Sequence, residues 1–391
     1  MTPTPPIYLD YNATTPIDPE VAAAMRPFLD TYFGNPSSTH WYGQQAKQAV
    51  EQARQQVAQL LQCHPEEVLF TSSGSEANNA AIKGVAFANQ TRGNHLITSS
   101  IEHPAVLEVC RFLETKGFEV TYVPVNAYGQ VELAAIEQAI RPQTLLITIM
   151  HANNEVGTIQ PIADIARLAR RHGILVHTDA AQSVGKIPTT VEALGVDLLS
   201  IAGHKLYAPK GIGVLYIRHG TQLEKLMHGA SHERNLRAGT ENVLEIVGLG
   251  TACAIAQRDL QHNMRHLQTM RDRLESGLTQ RLTDVRVNGH PTSRLPNTLS
   301  LSIAGLEANR LLEAMADVAA SSGAACHADT VDISSVLTAM QVPLTYAMGT
   351  IRFSVGKMTT VEEIDRAIHL VGRAVEHLRH PTAPHIGEHN L

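Results

Sequence analysis

The chain has 391 residues, 43% hydrophobic and 17% charged, with 31 Lys and Arg against 37 Asp and Glu. Its length predicts about two domains, or one large domain with a smaller partner, and its composition excludes disordered and coiled-coil classes. The net charge of −6 without a Lys/Arg-rich stretch argues against nucleic acid as a ligand. With no secretory leader and no run near the ~18 apolar residues of a membrane span, the chain reads as soluble and cytoplasmic.

The first periodic segment, QQAKQAVEQARQQVAQLLQ (44–62), sets Ala46, Ala49, Val50, Ala53, Val57, Leu60 and Leu61 on one helix face. Short apolar runs follow: VLFT (68–71), HLITSS (95–100), FEVTYVPV (118–125), TLLITIM (144–150), ILVHTD (174–179), DLLSIAG (197–203) and GVLYIR (213–218). Most are separated by helix-length segments, so residues 15–252 are expected to form an α/β domain around a mostly parallel seven-stranded sheet covered by helices. Residues 253–380, together with 1–14, are expected to form a smaller α+β domain. Its elements are a helix near 255–282, strand-like NTLSLSI, helix-like ANRLLEAMADVAASS, strand-like TIRFSVG and a helix opened by a Thr360–Glu363 capping box. Residues 381–391 read as a flexible tail.

In such sheets ligands bind beyond the carboxyl ends of the strands, and the segments there are polar: SSGSEANN, IEHP, HANNEVG, AAQSVGK and HKLYAPKG. TSSGSEANN offers hydroxyls and amides at a helix N-terminus, which makes either an anion cradle or an ordinary Ser-rich cap. Lys205 ends an apolar strand, as a surface amine or as one whose depressed pKa suits Schiff-base chemistry. Asp179 ends another, as a helix cap or as the partner of a pyridinium nitrogen. Together the three supply what pyridoxal 5'-phosphate needs at its phosphate, its ring nitrogen and its aldehyde.

Four cysteines, Cys63, Cys110, Cys253 and Cys326, lie far apart without a CxxC pair, which argues against disulfides and zinc. The first three fall in helix-like stretches and read as packing residues. Cys326 sits in SSGAACHA, either as a small buried hydrophobe or as a nucleophile.

The motifs YLDYNATTP, GNPSSTH, TSSGSEANN, IEHPAV, HANNEVGTIQPI, HTDAAQSVGK, GHKLYAPKGIGVLYI, HERNLRAGTENV, SSGAAC and TIRFSVG run along nearly the whole chain. With them the sequence resembles the cysteine desulfurases of the NifS and IscS type, within the fold-type-I pyridoxal-phosphate enzymes. The resemblance implies that Lys205 binds the cofactor covalently, Asp179 pairs with its ring nitrogen, Gln182 hydrogen-bonds its phenolic oxygen and His103 lies over the ring. Gly74, Ser75 and His204 match phosphate ligands. Thr240 matches one supplied by the other subunit of a homodimer. Asn154, beside the cofactor, and Arg352 match residues that hold the substrate carboxylate.

Cys326 matches the nucleophile that takes sulfur from L-cysteine as a persulfide and leaves alanine. SSGAAC, rather than the RxGHHC pattern of the other subgroup, implies a longer loop of small residues that swings toward an acceptor such as an iron-sulfur scaffold protein. The segment HADTVDISSVL and the tail carry no recognised docking sequence, which leaves the acceptor open. Ala202 departs from the family, which commonly has a phosphate-binding serine there, and Ser200 is not an obvious substitute. Related lyases acting on selenocysteine, aminotransferases and a non-catalytic assembly subunit are the competing readings. Retention of Lys205, Asp179, His103, Arg352 and Cys326 together speaks against the last.

Overall fold

The computed structural model describes residues 5–327 and 330–380, and for 324–327 and 330–332 the backbone path only. The tail expected at 381–391 lies outside the described residues.

Each of the seven apolar runs forms a strand, and edge to edge they lie in the order Val68–Thr71, Gly213–Ile217, Leu198–Ala202, Leu175–Asp179, Thr144–Thr148, His95–Ser99, Glu119–Val123. Neighbours are parallel except around Gly213–Ile217, which is antiparallel to both Val68–Thr71 and Leu198–Ala202. Alternation along the strands feeds two separate cores. Leu69, Leu96, Leu198 and Leu215 pack with the helices Gly74–Ala88 and Pro104–Glu114, while Phe70, Ile97, Leu199 and Val214 pack with Trp41–Leu61 and Ile162–Arg171. Each such buried side chain contributes about 1.5–3 kcal/mol. The sheet is therefore sealed on both faces, and its polar strand ends are left for chemistry.

A second, antiparallel sheet has the order Ser321–Ser322, Thr350–Ser354, Thr298–Ile303, Val285–Asn288. Leu299, Leu301, Ile351 and Phe353 pack there against Ile364, Ala367, Val371 and Val375 of the helix Val361–Arg379. The capping box is formed at both ends: Thr360 Oγ1 accepts from Glu363 N (3.2 Å) and Glu363 Oε2 from Thr360 N (2.9 Å).

The helix expected near 255–282 begins earlier, at Val243, behind an Asn242 cap. It runs unbroken to Arg281, giving Ile246–Ala256 to the large core and Leu267–Leu278 to the small one. The helix expected over ANRLLEAMADVAASS ends at Ala314. Beyond it Val318 and Ala319 pair with Ile7 and Tyr8, and Ser321 and Ser322 pair with Arg352 and Ile351. Ladder hydrogen bonds outweigh the helical spacing of these residues.

Where a loop of small residues is expected around the thiol, Ala324–His327 pairs antiparallel with Thr330–Ile333, with Cys326 opposite Val331. The β-branched TVDI stretch favours that ladder. The hairpin is closed at its base by Ser334 N donating to Gly323 O (3.1 Å). The expected swing rests on side chains and on residues 328–329, which lie outside those described.

Candidate active site

A cavity of about 320 Å³ opens at the carboxyl ends of the central strands, lined by Ser73–Ser75, Asn78, His103, Asn154, Asp179, Gln182, Ala202, His204, Lys205 and Arg352 among others. Asp179 is delivered by the last residue of its strand. Its Oδ1 accepts from Ala181 N (2.9 Å), as a helix cap does, and its Oδ2 accepts from Asn78 Nδ2 (2.7 Å). Asn78 was not singled out in the sequence. It lies one turn along the helix from Gly74, on the same face, so the TSSGSEANN segment carries both an anion-facing end and a carboxylate anchor. Its Oδ1 is buried without a partner among the described residues.

Lys205 closes the 3₁₀ turn Gly203–Lys205 behind the strand Leu198–Ala202. Its Nζ donates to two backbone carbonyls, Asn12 O (2.5 Å) and Ala13 O (2.6 Å). Burial, reinforced by Arg352, pushes its pKa down to about 8. It is a partly buried amine of lowered pKa rather than a surface lysine.

Asn12, from the YNATTP motif, is a hub that sequence reasoning missed. Besides Lys205, its carbonyl accepts from Gln182 Nε2 (3.0 Å). Its side chain joins Asn297 (2.9 Å) and Thr298 (2.8 Å) and donates to Asn154 O (3.1 Å). The N-terminal segment thereby fixes both sides of the cavity.

At the N-terminus of the helix Gly74–Ala88, Ser73 is the cap, its Oγ accepting from Glu76 N (3.1 Å), and Gly74 faces Ala202. A Cβ on Gly74 would stand 3.0 Å from Ala202 Cβ and fill the cradle. Ser200 is fully buried with its Oγ bound to His177 Nε2 (2.9 Å), and His177 Nδ1 in turn meets Thr148 Oγ1 (2.8 Å). It does not replace the missing serine. His204 contacts Thr14 Oγ1 through Nδ1 (3.2 Å), and burial with the nearby Lys205 pushes its pKa down to about 4.

Arg352 reaches in from the small sheet. It donates to Asp10 Oδ1 (2.8 Å), Ser321 Oγ (2.8 Å) and Asn154 O (3.1 Å), while its Nε is buried without a partner among the described residues. His103 caps the helix Pro104–Glu114, and its Nδ1 accepts from Ala105 N (3.1 Å), so a neutral ring carries its proton on Nε2. Beneath it, Glu102 accepts from Ser99 Oγ (2.5 Å) and Met150 N (3.0 Å), and burial pushes its carboxyl up to about 8. A second cavity, about 450 Å³, shares His103, Asn154 and Arg352 with the first and is walled by residues 321–323 and 333–336. Both feet of the Cys326 hairpin therefore stand at the mouth of the site.

Thr240 is not in this cavity. It lines another cleft, with Ser72, Arg237 and Glu241. Cys110 and Cys253 are buried in helices, Cys63 lies half-buried just past the end of Trp41–Leu61, and desolvation pushes all three thiols up to about 12. Raised thiol pKa values of this kind disfavour the thiolate at neutral pH. No metal-ligating cluster and no helix long and apolar enough to cross a membrane occur among the described residues.

Pyridoxal phosphate fits this donor set. A carboxylate held by two N–H groups can face a pyridinium nitrogen, a low-pKa amine can meet an aldehyde, and a helix N-terminus with no Cβ at Gly74 can receive an anion.

The family model "Aminotransferase class-V" matches residues 7–367. A protein named "Cysteine desulfurase IscS" from Dictyoglomus turgidum is 47% identical over 95% of this chain and 95% of its own length. One of the same name from Pectobacterium carotovorum is 48% identical over 96% and 94%. Among solved structures, a "NIFS-LIKE PROTEIN" superposes with a TM-score of 0.90 at 39% identity, covering 95% of this chain and 99% of that one.

Proposed function

The chain belongs to the class-V aminotransferases, among the pyridoxal-phosphate-dependent cysteine desulfurases, and from that premise we propose how its residues share the work of moving sulfur from L-cysteine to Cys326. The observation that carries the reading is the convergence of Lys205, Asp179 and Arg352 on one cavity with the Cys326 hairpin rooted at its mouth.

Lys205 would hold the cofactor, Asp179, anchored by Asn78, would pair with its ring nitrogen, Gln182 Nε2 would serve its phenolic oxygen, and Gly74, Ser75 and His204 would take its phosphate. Bound there, pyridoxal phosphate supplies an electron sink for the carbon atoms of the substrate. Arg352 and Asn154 hold the cysteine carboxylate. Arg352 is already aimed by Asp10 and Ser321, and its fork suits two carboxylate oxygens. Lys205 Nζ, with a pKa of about 8, can hold and release a proton near neutral pH, and His103 offers Nε2 above the same space.

The Cys326 thiolate attacks the sulfur of the substrate. The C–S bond breaks, its electron pair stays on carbon, which takes a proton to become the methyl of alanine, and an S–S bond leaves Cys326 as the persulfide. An acceptor protein then takes that sulfur toward iron-sulfur clusters or other thio-cofactors.

We also infer a homodimer in which Thr240 completes the partner's phosphate site, supported by its lining a separate cleft and not the cavity of its own chain. Mixing Lys205→Ala with Thr240→Ala subunits should restore sites that neither variant forms alone. Free Cys63, Cys110 and Cys253 accord with a reducing, cytoplasmic setting. The activity is tested by supplying L-cysteine and a thiol reductant to purified holoenzyme. Equal amounts of alanine and sulfide are expected. A keto acid product would instead support the aminotransferase reading.

A further inference from the structure

One buried amine adjoins the site without lining its cavity. Lys186 is only 6% exposed. It follows Gly185, which has φ +76° and where a Cβ would stand 2.0 Å from Leu206 Cδ1, so the turn after Asp179 can fold tightly enough to bury the amine. Its Nζ donates to Gln182 Oε1 (3.0 Å) and stands 3.5 Å from Asn12 Oδ1. The charged groups that act on it, Lys205 and Arg352, are both cationic, and burial with their repulsion pushes its pKa down to about 7. An apolar side chain of the same length would be cheaper in such a place.

Gln182 accounts for the amine. Gln182 Nε2 donates to Asn12 O while its Oε1 accepts from Lys186, so a flipped amide would set N–H against N–H and oxygen against oxygen, losing both bonds. We propose that Lys186 is a positioning residue that acts through Gln182, pinning its amide so that the N–H edge and not the oxygen is presented to the phenolic oxygen of the cofactor. The inference rests on reading the cavity as a pyridoxal-phosphate site. Neutral or protonated, Lys186 keeps an N–H for Gln182, so the amide orientation holds through neutral pH.

The test uses holoenzyme reconstituted with pyridoxal phosphate: wild type, Lys186→Met, Gln182→Leu and the double variant. The visible absorbance of bound cofactor is titrated with pH, and thermal unfolding of each apoprotein is recorded. Both single variants should move the pH midpoint of the band upward by about half a unit or more, roughly threefold in the equilibrium. The double variant should move no further than Gln182→Leu alone. Apo Lys186→Met should unfold no earlier than wild type, because a desolvated amine has been removed.

A Lys186→Met band with an unchanged midpoint overturns the proposal, as does a double variant whose shift is the sum of the singles. If Lys186→Met cannot be recovered folded, Lys186→Leu, which likewise offers no N–H, is read the same way, an upward midpoint shift supporting the proposal and an unchanged midpoint overturning it. Wild type that gains no visible band refutes the cofactor reading and this inference together. A wild-type band that Lys186→Met leaves unaltered refutes this inference alone.

Discussion

Replacing Ala202 by Ser should tighten cofactor binding. The Ala202 Cβ direction is fixed by the ladder pairing Ala202 with Gly213, and it faces Gly74, which has no side chain, so a hydroxyl there would stand beside the helix N-terminus where an anion can sit. Ser200 cannot do this, because its Oγ is bound to His177. A hydrogen bond to a charged group is worth about 1.5–3 kcal/mol, which at about 1.4 kcal/mol per decade gives about 10- to 150-fold in affinity. The assay is titration of both apoproteins with pyridoxamine 5'-phosphate, which cannot link to Lys205 and so reports a reversible equilibrium. Equal or weaker binding by Ala202→Ser would show that the phosphate does not lie between Gly74 and residue 202.

Other perturbations probe the remaining anchors. With a pKa near 8 instead of its ordinary 10.5, Lys205 is a free amine at mildly alkaline pH, so the rate at which apoprotein captures pyridoxal phosphate should rise up to about pH 8 and level off there. Stopped-flow absorbance checks this, and a rate still climbing at pH 10 would contradict the depressed pKa. Asn78→Ala leaves Asp179 Oδ2 without its donor and should cost about 1–3 kcal/mol in denaturant unfolding of the holoprotein. Arg352→Lys keeps the charge but loses the fork held by Asp10, Ser321 and Asn154, and KM for cysteine should rise about 10-fold or more. An unchanged KM would place the substrate carboxylate elsewhere.

The large sheet was legible because each strand is a short apolar run closed by polar residues, and burial on both faces leaves little else such a run can be. Lys205 and Asp179 were legible for the related reason that a charge at the end of a buried strand needs a partner. Asn12 and Asn78 were not, since an asparagine in a turn or on a helix has many ordinary explanations and the contacts here join residues far apart in sequence, such as Asn78 with Asp179. Lys186 lay in plain view in QSVGK, but a lysine after a glycine usually ends in solvent. Its burial depends on the packing of Gly185 against Leu206, which no local pattern reports. The strands at Val318–Ala319 and Ser321–Ser322 were hidden for the same reason, their partners being residues 7–8 and 351–352.

Transfer of sulfur to Cys326 is tested most directly by exposing holoenzyme to L-cysteine without reductant and weighing its peptides. The predicted result is one added sulfur atom on the peptide carrying Cys326 and none on those carrying Cys63, Cys110 or Cys253, with a Cys326→Ala variant that keeps the visible band of the cofactor but releases no sulfide. A Cys326→Ala enzyme that turns cysteine over at the wild-type rate would contradict the account.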